Sequence, residues 1–182
     1  MNLHRTLHCV SISLLALLPS ALLTTYAQTS SGTPASHADK QFVVAAIRGC
    51  MAEVELGKLA AEKGTGEDIK QFAQKMVTDH TQLGEQMKRV AHQIGVPPPS
   101  TLSPSDRALE ARLKTLSADA FDRAYIQAIV KVHEDDLGEF NREIADASSF
   151  FVKDAAREGA KVIQEHLDII RNIARNNNVA SN

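Results

Sequence analysis

The chain has 182 residues, 43% hydrophobic, 23% charged and 4% aromatic, with no tryptophan and a formal charge of -2. Such a composition supplies one hydrophobic core and excludes a fibre or an intrinsically disordered chain. A nucleic-acid binder would carry a basic excess, so the near-neutral balance argues against that role.

Residues 1–27 carry the features of a secretory signal. Arg5, with His4 and His8, forms a short basic head; Cys9 to Leu23 is apolar and interrupted by Pro19; Thr25-Tyr26-Ala27 places small residues at a cleavage position. A retained membrane anchor is the alternative, but Pro19 and an apolar run shorter than the roughly 20 residues of a span count against it. Cys9 precedes the apolar stretch, where it cannot serve as a lipoprotein anchor. Export is therefore expected, to the periplasm or to an outer-membrane-associated position, with cleavage after Ala27 and no transmembrane span afterwards. Cleavage removes Arg5 and no acid, giving a charge of -3, and it also removes Cys9. With Cys50 alone, packing rather than an internal disulfide must hold the domain. Cys50 reads as a small buried residue, with a metal ligand or an intermolecular bridge as the other readings. Residues 28–36 (QTSSGTPAS) are small and polar and read as a flexible leader.

From Ser36 onward the pattern is helical, and residues 37–176 form the expected domain, followed by a disordered tail at 177–182. Ser36 with Asp39, Thr65 with Asp68, and Ser103 with Asp106 each place a capping residue three before an acid. Ser117 and Ser149 are candidate caps for two further helices. Apolar residues then recur at three and four: Phe42, Ala46, Gly49, Leu56 and Ala60; Ile69, Phe72, Met76, Leu83, Met87 and Ile94; Ile126, Ile129, Leu137, Phe140 and Ile144; Val152, Ala155, Gly159, Val162, Ile169 and Ile173. No segment alternates with period two, which excludes an outer-membrane barrel. Breaks at Gly64–Gly66 and Ser148–Ser149 make two antiparallel hairpins. The four prolines of GVPPPSTLSPS interrupt helix between them, and a short helix starts at Pro104. The expected fold is all-α, an up-down-up-down four-helix bundle with a short extra helix in its middle connection.

Each stripe contains one residue foreign to a hydrocarbon core: Glu53, His80, His133 and His166. If both hairpin turns lie at one end, the four fall within roughly 8 Å along the bundle axis at about 1.5 Å per residue. A buried carboxylate and buried imidazoles need partners. One solution is a shared cation, for which imidazole and carboxylate together suit zinc, copper, iron or nickel. Asp79, Glu55, Glu165 and Asp136 adjoin the four and are candidates to orient the imidazoles. The others are a hydrogen-bonded polar layer that sets the bundle's register, and histidines at the solvated edges of the stripes. Gly49, Gly57, Gly84, Gly138 and Gly159 sit within helices, for close helix approach or for space around a ligand. FAQKMVTDH and YIQAIVKVH share an aromatic, Gln, Val and His at equal spacing, by duplication or by chance between amphipathic helices.

The segments FVVAAIRGCMAEVELGKLAAEKG, FAQKMVTDH, FDRAYIQAIVKVH and QEHL, in this order, resemble the exported bacterial ferritin-like family called domain of unknown function 4142, whose members are often labelled predicted outer-membrane proteins. The resemblance runs from about Lys40 to Ala174 and implies a ferritin-like four-helix bundle outside the cytoplasm. It implies no activity. Di-iron members of the wider fold place Glu three residues before His on two helices, whereas Val77, Val130 and Ile163 stand at those positions here. Three roles follow: a non-enzymatic bundle that binds or senses a metal, a cell-envelope structural or interaction protein with an envelope or self-association partner, and a metal-dependent oxidoreductase. The missing bridging carboxylates count against the third.

Overall fold

The computed structural model describes residues 33–180. The expected signal segment, residues 28–32 of the leader and residues 181–182 of the tail lie outside them. Among the described residues there are five helices and no strand: α1 (His37–Lys63), α2 (Glu67–Gln93), α3 (Pro104–Lys114), α4 (Ala118–Asp146) and α5 (Phe150–Asn176).

Side-chain capping sets two of the five helix starts, those of α1 and α3. Ser36 accepts from the Asp39 N–H while the Asp39 carboxylate accepts from the Ser36 N–H, and Ser103 and Asp106 repeat this box ahead of Pro104. Ser117 and Ser149 occupy the cap positions of α4 and α5 without a side-chain cap bond. Thr65 does not cap α2. The cap position is Gly66, and the Thr65 hydroxyl and N–H both donate to the Asp122 carboxylate of α4.

That contact reverses part of the expected topology. Asp122, near the start of α4, holds the α1–α2 turn, so α4 begins at the end where α1 finishes. At the other end Asp39, at the start of α1, accepts from the N–H groups of Ser148 and Ser149 in the α4–α5 turn. Asn177, at the end of α5, donates to Asp68 at the start of α2. The two hairpin turns therefore lie at opposite ends, and the long helices run up, down, down, up. The up-down-up-down order is corrected on this point. It assumed a middle connection that merely turns the chain, whereas the segment carrying α3 climbs the length of the molecule before α4 descends. α1 packs most extensively on α2 and α4 on α5; α2 faces α5 and α1 faces α4.

Most residues of the expected apolar stripes are buried, and in α1 and α5 the stripe also shifts locally by one residue. Val43, Ile47 and Cys50 are more deeply buried than Phe42 and Gly49, and Ile163 and Ile170 more than Val162 and Ile169. The core has two halves. Leu56, Phe72, Met76, Phe121, Ile129 and Ile170 belong to the first, and Ile47, Leu83, Met87, Phe140, Val152 and Ile163 to the second. A disordered tail from residue 177 is also corrected. The Val179 N–H donates to the Ala174 carbonyl, and the Val179 side chain packs into the first half-core.

Candidate metal centre

Residues 53, 80, 133 and 166 stand between the two half-cores, each near the middle of a helix of 27–29 residues. Reversing a helix leaves its midpoint at the same height, so the layer survives the corrected topology. None of the four lies at a solvated edge: Glu53 is 3% exposed, His80 1%, and His133 and His166 0%.

Three ring nitrogens converge. His80 Nε2 lies 3.1 Å from His166 Nδ1, and His133 Nε2 lies 3.5 Å from the same atom. The three histidines can each offer one ligand atom within 4.8 Å of the others. Behind His166, its Nε2 is 2.8 Å from Asp79 Oδ2. An ionised carboxylate only accepts, so His166 Nε2 carries the proton and the Nδ1 lone pair faces the other two rings. Lys75 Nζ holds Asp79 at 2.8 Å and also reaches Glu165 at 3.0 Å.

Glu53 reaches the opposite edges of two of these rings. Its Oε2 is 2.8 Å from His80 Nδ1 and its Oε1 is 3.4 Å from His133 Nδ1. These approaches lie off the hydrogen-bonding direction, so Glu53 Oε1, His80 Nδ1 and His133 Nδ1 remain buried without an aligned partner. Unsatisfied polar atoms are rare in protein interiors and call for a cause. Burial pushes the Glu53 carboxyl up to about 7 and each of the three imidazoles down to about 4. The imidazoles are consequently neutral near pH 7, the form in which imidazole binds a metal.

The four flanking acids have separate fates. Asp79 holds His166 rather than its sequence neighbour His80. Glu165 reaches the layer only through Lys75. Asp136 is half-buried and shares a small cavity with Glu53 and His80, and burial and the Glu53 charge raise its carboxyl well above the carboxylate range. Glu55 orients no histidine: it pairs at the surface with Lys58 at 2.7 Å, and this expectation is corrected. On a helix, residues two apart point some 200° from one another, so Glu55 faces away when Glu53 faces in.

Two participants, Lys75 and Tyr125, escaped the sequence reading, whereas Cys50 carried metal ligation as one of its readings. Lys75 was visible only as a partner four residues before Asp79. Tyr125, stacked on Phe121, keeps a buried hydroxyl without a partner, and burial first, then the Glu53 charge, raises the pKa of that hydroxyl. Cys50, 4% exposed, joins Glu53 and His80 in a second group able to offer convergent ligand atoms.

A family model described as "Domain of unknown function (DUF4142)" matches residues 24–173. No curated protein matches the chain in sequence. Two solved structures share its fold. A DUF305 fragment from Deinococcus radiodurans is 17% identical with a TM-score of 0.69, covering 77% of this chain and 97% of that one. A DUF305 protein from Streptomyces coelicolor, described as a secreted-protein candidate, is 12% identical with a TM-score of 0.68, covering 80% of this chain and 96% of that one. No helix among the described residues is long and apolar enough to cross a membrane.

Proposed function

The chain belongs to the DUF4142 family, and on that premise we propose that it is an exported, ferritin-like four-helix bundle that binds or senses one transition-metal ion through its Glu/His layer. The observation that carries this reading is the convergence of His80 Nε2, His133 Nε2 and His166 Nδ1 among fully buried side chains. The Asp79 carboxylate leaves His166 Nδ1 as a bare lone pair. Glu53, ionised, favours protons on the Nδ1 atoms of His80 and His133, which would leave their Nε2 atoms bare as well. Three facing lone pairs repel unless a cation lies between them. In this arrangement the histidines supply the ligands, and Glu53 and Asp79 orient them from behind. Three imidazoles suit zinc, copper, iron or nickel.

A second reading has its own support. His80 Nε2–H can donate to His166 Nδ1 and His166 Nε2–H donates to Asp79, while a protonated Glu53, 2.8 Å from His80 Nδ1, needs only a change of angle to join them. That chain accounts for most of the layer without a cation. The layer would then fix bundle register in a cell-envelope structural or interaction protein.

Metal analysis and zinc titration of the purified chain, beside His166→Ala, separate the two. Binding predicts one equivalent of metal in the wild type and an affinity about 100-fold or more weaker in the variant. A wild type that takes up no metal, with its fold intact, leaves only the polar layer. The expected address is the periplasm or an outer-membrane-associated position. Fractionation, with the mature N-terminus read for a start at residue 28, tests it.

A further inference from the structure

Beside the histidine trio lies a cavity of about 30 Å³ whose lining includes Gly49, Cys50, Glu53, His80 and Asp136. This is room for one water-sized body. A Cβ placed on Gly49 would meet nothing within 4 Å, so the absent side chain leaves space there. Cys50 Sγ, a Glu53 oxygen and a His80 nitrogen lie within 4.8 Å of one another. Two buried atoms in this group, Glu53 Oε1 and His80 Nδ1, have no aligned hydrogen-bond partner. Cys50 is a free thiol. A wider groove of about 370 Å³ also includes Cys50 and His80 in its lining, together with Met51, Thr81 and Ser100, and so approaches the same pair from another side.

We propose that Cys50, Glu53 and His80 Nδ1 form a second cation position that takes a thiophilic divalent ion of the zinc class. Thiolate, imidazole and carboxylate are the three donor types that zinc accepts together. A sulfur ligand disfavours magnesium and calcium, which select oxygen. Binding forms the metal–sulfur bond as the Cys50 thiol proton leaves to solvent, and the thiolate and the Glu53 carboxylate together balance the two positive charges. A neutral imidazole has one lone pair, so His80 serves this position through Nδ1 or the trio through Nε2, and the two positions alternate. The inference extends the reading that the layer receives a cation, but it stands on different atoms.

Cobalt(II) is the probe, because thiolate ligation adds a near-ultraviolet charge-transfer band that nitrogen and oxygen ligands do not produce. His166→Ala disables the trio and leaves the cavity intact; His133→Ala serves if circular dichroism shows the first variant unfolded. Cobalt bound to this background should show the charge-transfer band. Adding Cys50→Ser should abolish the band and weaken cobalt binding by about tenfold or more. Cobalt that binds the wild type with visible bands, but shows no thiolate band in any background, overturns the second position and leaves the trio standing. A band that persists in Cys50→Ser also overturns it. A wild type that binds no cobalt overturns both.

Discussion

A buried imidazole takes up a proton only with difficulty, so three of them in one layer tie the stability of the metal-free protein to pH. His80, His133 and His166 are each lowered from 6.5 to about 4, with burial the largest cause. The unfolded chain therefore binds protons that the folded one refuses, and stability present above pH 6.5 is lost as pH falls toward 4. Glu53, raised from 4.5 to about 7, acts with opposite sign: its contribution is full below 4.5 and lost as pH rises through 7. Asp136, raised to about 8, and Glu143, raised to about 7, act in the same sense as Glu53, so three carboxyls oppose the three imidazoles over this range. In denaturant unfolding of metal-free protein, His133→Gln, which removes one buried imidazole, should gain on the order of 1–2 kcal/mol relative to the wild type as pH falls from 6.5 to 5. A pH dependence identical in His133→Gln and the wild type would show that the ring is not held neutral. The four foreign residues were legible because each interrupts an apolar stripe. Their orienting partners were not: adjacent residues on a helix diverge by about 100°, so support for a ring comes from across the interface. Asp79 on α2 thus supports His166 on α5, while Glu55 faces solvent.

At the level of helices, caps and periodicity are local properties, and Ser36, Ser103 and Pro104 behave as their spacing requires. Thr65 fails as a cap because Asp122, 57 residues away, competes for its hydroxyl and N–H. The mid-helix glycines divide in the same way. At Gly159 an added Cβ would collide with the Phe140 ring, and at Gly57 it would come within 2.9 Å of Val77 Cγ2, so these positions serve close helix approach. Gly49 faces open space instead. Gly159→Ala should destabilise the protein by about 1–3 kcal/mol through overpacking. Gly49→Ala should stabilise it by up to about 1 kcal/mol, because helix propensity improves without a clash. Thermal melts of the two variants should move in opposite directions; a shared direction would contradict these packing environments.

Over the whole molecule, the connection between α2 and α4 does more than turn the chain. α2 ends and α4 begins at opposite ends of helices 27 and 29 residues long, a separation of about 40 Å at 1.5 Å per residue. Lys63 Nζ donates to the Lys114 carbonyl, which fastens the far end of this connection beside the α1–α2 turn. Replacing residues 96–116 with a four-residue turn cannot span that distance. Cooperative unfolding, followed by circular dichroism in denaturant, should disappear. A shortened chain that still melted cooperatively with native helix content would favour the up-down-up-down order. Helix positions, most caps and the four mid-helix polar residues were all written in short-range patterns, because a helix buries the same stripe whichever way it runs. That indifference to direction is also why the order of the helices could not be read. The direction of α4, the ring nitrogens that meet and the partners of each carboxylate depend on contacts between residues up to 110 positions apart, and these exist only after the helices pack.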